Sequence, residues 1–129
     1  MSVVHQNTRN RRNGAKYETD VIEFFRKKGF DAERLRLSGL QDEGDGVVRA
    51  GDLRVVLEMK SGKNLSVRRW FEEEAVPEAR NYAKRRSLLN EEVAATLVMK
   101  SHNKAIGKSL VTIDLDTFTD LLERAYAND

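Results

Sequence analysis

The sequence predicts an α/β domain built on a mixed β-sheet. Three observations carry the expectation. Apolar residues make up 40% of a 129-residue chain, enough for one hydrophobic core and too few for two domains. The elements read helix, three strands, helical segment, strand, strand, helix, an interleaving that layers helices on a sheet. Leu53 to Lys60 alternates with period two, so that Val55, Leu57 and Met59 face one side and Arg54, Val56, Glu58 and Lys60 the other.

Taken in order, Asn13-Gly14 is the expected start of the first helix, which runs to about Lys28 and stops at Gly29. Its apolar stripe is Tyr17, Val21, Ile22, Phe24 and Phe25. Glu18 precedes Val21, Ile22 and Phe25 by three, four and seven positions, so it projects from the apolar face. Residues 30–38 show partial strand alternation, and Ser38-Gly39 through Gly44 supply turn chemistry. Asp45 to Arg49 and Leu53 to Lys60 form a hairpin joined by Ala50-Gly51-Asp52. Ser66 is the expected cap of a helix over 66–75, with Leu65 and Trp70 as its hydrophobic staple. Pro77 divides that helix from another ending around Ser87, the alternative being one kinked helix. An apolar strand over 93–100 ends in Lys100. A strand over 109–114 and a helix over 117–127, capped by Asp116, complete the set.

Charged residues make up 34%, which suits a well-solvated surface. The absence of cysteine excludes a disulfide framework and a Cys-based zinc site, and two histidines, His5 and His102, speak against a His-rich metal site. The N-terminus lacks an apolar signal core, and no apolar run approaches a membrane span, so a cytoplasmic protein without a membrane partner is expected. The net charge of +2 is unevenly placed. Residues 1–16 hold Arg9, Arg11, Arg12 and Lys16 with no acid and carry +4, leaving −2 on the rest. Residues 1–12 are therefore read as a basic arm and 13–129 as one domain, the arm either contacting a polyanion or fraying into solvent. Arg68, Arg69, Arg80, Lys84, Arg85 and Arg86 are accompanied by Glu72, Glu73, Glu74 and Glu78, which favours a solvated helix face over a DNA surface.

Asp45, Glu58 and Lys60 stand out because they occur in a hairpin otherwise built for burial. Asp45 and Glu58 fall on neighbouring strands and Lys60 shares the face of Glu58, so the three converge. Carboxylate donors without Cys or a useful His select a hard cation, Mg²⁺ or Mn²⁺, held with waters and a substrate phosphate. Such an ion polarises a phosphoryl oxygen and lowers the pKa of a bound water, with Lys60 orienting that water or balancing charge. Glu18 is the natural third carboxylate. Asp52 competes with Asp45, but at the hairpin turn it lies too far from Glu58 and Lys60. Singly, each residue has a structural explanation: a surface ion pair for Glu58 and Lys60, a turn former at Asp45, an arginine partner for Glu18. Their joint spacing, which lets all four meet, favours a site.

The succession GAKYE, KKGF, ERLRLSG, GDGVV, LEMKSG and LVMK, from about Asn13 to Lys100, resembles that of archaeal-type Holliday-junction resolvases in the PD-(D/E)XK nuclease superfamily. The resemblance implies a restriction-endonuclease-like core, a central mixed β-sheet flanked by helices, and a metal-dependent endonuclease acting on branched DNA as a homodimer. It makes Glu18 the helical glutamate, Asp45 the strand aspartate, and Glu58 and Lys60 the Glu-x-Lys pair. All four are then catalytic, and Glu18, Asp45 and Glu58 hold Mg²⁺, with Mn²⁺ as a substitute. Arg34 matches a basic DNA-contacting position, and Ser38 and Lys100 fall near further active-site or DNA-facing positions. With Arg9, Arg11, Arg12, Lys16 and Lys63, Arg34 and Lys100 make up the expected DNA contacts. Gly44 replaces the proline of the superfamily's name. Trp70, Phe71 and the segment around Leu88 and Leu89 either form a dimer interface or pack internally. The competing readings are a nuclease of this fold acting on flaps, nicked or linear duplexes, and a non-catalytic DNA-binding module.

Overall fold

The computed structural model describes residues 3–36, 41–63 and 66–127, with side chains from Gly14 onward. Ser38, Leu65 and the side chains of Arg9, Arg11 and Arg12 lie outside the described residues. Helix α1 spans Val3–Lys27. From Val3 onward the backbone of the basic arm is thus part of the first helix, and Asn13-Gly14 lies within that helix instead of capping it. A mid-helix glycine costs about 1 kcal/mol relative to alanine, too little to start a new element where the backbone on both sides is already helical. The C-terminal end is the one expected. Gly29 adopts a φ of 93°, and the Phe30 N–H reaches back to the Phe25 carbonyl at 3.1 Å, closing the helix through a left-handed glycine.

Five strands follow, β1 Asp31–Arg34, β2 Gly46–Ala50, β3 Leu53–Lys60, β4 Val93–Met99 and β5 Leu110–Thr112, and their spatial order is their chain order. The β1–β2, β2–β3 and β4–β5 pairs are antiparallel, and β3–β4 is parallel. The sheet is mixed, as predicted. A parallel pair needs a crossover connection, and it is supplied by α2 Val67–Trp70, a π-helical turn Phe71–Ala75 and α3 Val76–Arg85. The division expected at Pro77 is replaced by one continuous helical run. Proline has no N–H to donate and crowds the carbonyl four residues back; widening the preceding turn removes that clash without ending the helix. Ser66 precedes α2 but makes no side-chain capping bond. Helix α4 spans Leu115–Ala127. Its cap is Asp114, whose Oδ1 accepts the Thr117 N–H at 2.8 Å, and not Asp116.

The alternation along β3 divides the core. Val55, Leu57 and Met59 pack toward α1 with Tyr17, Val21 and Ile22. On the opposite face Val56 joins Val47, Ala79, Tyr82 and Ala83 of β2 and α3. Strand β4 is buried along its whole length, as a strand covered by helices on both faces must be. Among the described residues no helix is long and apolar enough to cross a membrane.

Candidate active site

Asp45 lies just before β2 and is held by three hydrogen bonds. Its N–H donates to the Leu57 carbonyl at 2.8 Å, its carbonyl accepts the Leu35 N–H at 2.9 Å, and its Oδ2 accepts the Met59 N–H at 2.8 Å. Because Gly46 pairs with Leu57, the register places Asp45 opposite Glu58. The side chain therefore occupies the hydrogen-bonding place that the next residue of β2 would have filled, and it does so beside Glu58.

From Asp45 a row of carboxyl groups extends in both directions. Glu18, from α1, is within hydrogen-bonding reach of Asp45, and Glu58 touches Asp45 on one side and Glu78 on the other. Glu78, from α3, in turn meets Asp42. Arg34 pairs with Glu18 at 3.1 Å, closing one end of the row. Burial, reinforced by Asp45, raises the Glu18 carboxyl to about 7 against the opposing effect of Arg34. Burial, reinforced by Asp45 and Glu78, pushes the Glu58 carboxyl far above the ordinary range. Burial and Asp42 raise Glu78 to about 8, while its hydrogen bond with Glu58 acts in the opposite direction. Crowded carboxyls with too little positive charge among them respond in this way.

Lys60 ends β3 on the same face. Its Nζ donates to Glu74 Oε1 at 2.8 Å and stands 5.3 Å from the centre of the Trp70 ring. Burial works against its charge, but the Glu74 hydrogen bond and the fields of Glu58, Glu74 and Asp45 prevail and raise its pKa. Lys60 is accordingly a cation at neutral pH. It is suited to balance charge or orient a water, and unsuited to act as a base.

The sequence-predicted residues Glu18, Asp45, Glu58 and Lys60 are thus brought to one place. Asp52 is excluded by position: it sits at the hairpin turn and pairs with Arg124 at 2.6 Å. Lys100 follows β4, and its N–H donates to the Lys60 carbonyl at 2.9 Å, which puts it at the carboxyl end of the parallel pair. Lys16 and Lys63 are exposed, Lys16 with Asp20 as partner at 2.8 Å. Three participants were missed by sequence reasoning: Asp42, Glu74 and Glu78. Glu78 is buried, contrary to its reading as part of a solvated face. Its spacing from Ala75, Ala79 and Tyr82 is the same apolar-face signal that singles out Glu18. Arg80 is half-buried and donates to the Asn90 and Val93 carbonyls, whereas Arg86 stays exposed while stacking on Tyr82 at 3.7 Å.

The donor set fits a hard divalent cation. Every candidate ligand is a carboxylate oxygen, and two of them, on Glu58 and Glu78, are buried without full compensation of charge. No family model matches the chain, and no curated protein matches it significantly. Solved structures do. One is Hjc, a Holliday junction resolvase from the archaeal hyperthermophile Archaeoglobus fulgidus, similar with a TM-score of 0.51 and 21% identity over 78% of this chain and 71% of that one. The chain has the resolvase fold. Within that fold the mixed sheet carries Asp45, Glu58 and Lys60 at one end of the β2–β3 hairpin, and α1 brings Glu18 to them.

Proposed function

We propose that the protein is a Holliday-junction-resolvase-like, metal-dependent endonuclease of the PD-(D/E)XK type, hydrolysing phosphodiester bonds in branched DNA as a homodimer. The observation that carries the reading is the convergence of Glu18, Asp45 and Glu58, with cationic Lys60 beside them, within a resolvase fold. Asp45, Glu58 and Glu18 would hold Mg²⁺, or Mn²⁺ in its place. The bound ion supplies Lewis-acid polarisation of the phosphate and a more acidic water. Glu58 presents its carboxylate from the central strand, where a rigid backbone fixes its position. Lys60, anchored by Glu74, places positive charge where an attacked phosphate gains negative charge. Arg34, Lys63 and Lys100, with Lys16 and the arginines Arg9, Arg11 and Arg12 of α1, would contact the DNA backbone. Such contacts position a duplex without reading its bases.

The homodimer follows from the substrate. A four-way junction needs two cuts, and one site of this kind per chain makes one. Trp70, Phe71 and Leu88 are partly buried against the chain's own core, and of the expected interface residues Leu89 alone is largely exposed. The exposed apolar residues of α4 and β5 form the main interface in the proposal.

The test is cleavage of matched labelled substrates, namely four-way junction, flap, linear duplex and single strand, with Mg²⁺ and with chelator. Preferential, Mg²⁺-dependent cutting of the junction is expected, with Asp45→Asn and Glu58→Gln losing cleavage by about 100-fold or more while binding the junction almost as well. Cutting of flaps or linear duplex in preference to the junction would change the substrate class. Near wild-type cleavage by either variant would place the active site elsewhere.

A further inference from the structure

We propose that Asp42, Glu58 and Glu78 form a second site for a hard divalent cation, sharing Glu58 with the Glu18, Asp45 and Glu58 set. The inference deepens the nuclease reading and rests on it only for what the ion does to a phosphate; cation binding does not depend on it.

One ligand oxygen from each of Asp42, Glu58 and Glu78 lies within 4.8 Å of the others. Carboxylate clusters occur without metals, so the decisive observation is a different one. Glu78 is 6% exposed, and its Oε2 is buried with no N–H or hydroxyl partner among the described residues, the groups its carboxyl meets there being the carboxyls of Glu58 and Asp42. A buried carboxylate oxygen without a donor is costly, because nothing in the protein replaces the water it gave up. The neighbouring cations are committed elsewhere. Lys60 pairs with Glu74 at 2.8 Å, Arg34 with Glu18 at 3.1 Å, and Arg85 and Arg86 with Glu43 at 3.3 and 3.2 Å.

Three separate elements support these carboxyl groups. Glu58 stands on the central strand β3 and Glu78 on α3. Asp42 is held by its own turn: Oδ1 accepts the Gly44 N–H at 2.8 Å, and its carbonyl accepts Asn81 Nδ2 at 2.8 Å. Asp42 is exposed, which leaves the cluster an entrance from solvent, while Glu58 and Glu78 close its floor. An all-oxygen donor set of this kind selects Mg²⁺, Mn²⁺ or Ca²⁺ over softer ions. In the nuclease, a cation held by Asp42, Glu58 and Glu78 would add Lewis-acid stabilisation of the negative charge that develops on an attacked phosphate.

The experiment uses the full chain, stripped of metal, without DNA, titrated with Mn²⁺ alone at pH 8. Bound and unbound Mn²⁺ are followed by electron paramagnetic resonance and heat by calorimetry. Two Mn²⁺ per chain are expected in the wild type. Asp42→Asn and Glu78→Gln should each weaken one of them by about tenfold or more and leave the other, whereas Glu18→Gln should spare the Asp42 site. Asp42→Asn keeps the oxygen that caps Gly44, so it decides the matter even if Glu78→Gln fails to fold. A single Mn²⁺ in the wild type, or two undiminished in Asp42→Asn, overturns the second site. Junction cleavage in Mg²⁺ is measured separately: two ions bound without cleavage would sink the nuclease reading and leave this site standing, and cleavage with one ion bound would do the reverse.

Discussion

Gly44 shows how one residue sets the geometry of the site. Its φ is 101°, and a Cβ built there would lie 2.6 Å from Val56 Cγ1 and 3.3 Å from the Leu57 carbonyl oxygen. Proline, the residue of the superfamily's name at this place, is confined to φ near −65° and would also remove the N–H that bonds Asp42. The Gly44 in GDGVV is therefore required by this loop and is no neutral exchange. Gly44→Ala is expected to lower stability by about 2 kcal/mol or more, a fall in Tm of roughly 6–12 °C, and to displace Asp45. Thermal unfolding checks this, and a Tm within two or three degrees of wild type would refute the described turn. At the same scale, the positions of Glu18, Asp45, Glu58 and Lys60 were legible because strand alternation and helix spacing are local rules. Glu78 was legible by the same rule. Its grouping with Glu72, Glu73 and Glu74 obscured it, and the π-helical turn before Pro77 shifts the helix face that such grouping assumes.

Among the elements, α4 is the one least explained by the chain's own packing. None of its residues is buried, and Leu115, Phe118, Leu122 and Tyr126 repeat at helical spacing along its exposed side, continued by Leu110 and Val111 of β5. The pair formed by Arg124 with Asp52 at 2.6 Å ties it to the β2–β3 turn. Soluble monomers seldom leave such a stripe open, and in the proposed homodimer a second copy covers it. Phe118→Asp combined with Leu122→Asp should raise the dimer dissociation constant by about 100-fold or more while leaving the circular dichroism of the fold nearly unchanged, since neither side chain fills the core. Sedimentation across a concentration series measures this. An unaltered association constant would move the interface away from α4, and a wild-type monomer at all concentrations, with or without junction DNA, would remove the homodimer itself.

At the scale of the whole molecule, the carboxyl row couples stability to pH. Glu18 and Glu78 titrate at about 7 and about 8 in the folded chain, against an ordinary value of 4.5. The folded state therefore binds more protons than the unfolded state between these limits, and stability must fall as pH rises through that window. The contribution is fully present below pH 4.5 and is lost once pH exceeds about 8. A divalent cation, which binds the ionised carboxylates, acts in the opposite direction. The metal-free protein is thus expected to melt at lower temperature at pH 8.5 than at pH 5.5, and saturating Mg²⁺ or Mn²⁺ to raise Tm more at the higher pH. Calorimetry with chelator and with metal tests both statements. A metal-free Tm that does not fall over this range would show that the row carries no such strain.

Local sequence patterns suffice for the order of elements, the mixed sheet, the hairpin that pairs Asp45 with Glu58, and the inward face of Glu18. These follow from periodicities of two and 3.6 residues and from turn residues, which act over a few positions of chain. Tertiary structure alone decided the rest. It carried α1 back through the basic arm, placed a π turn just before Pro77 inside a continuous helix, gave α4 its cap at Asp114, and set Asp42 and Glu78 against Glu58. Those outcomes depend on which surfaces meet across the sheet. Burial, charge and the hydrogen-bonding needs of residues distant in sequence are balanced only once β3, α3 and the loop before β2 are in contact.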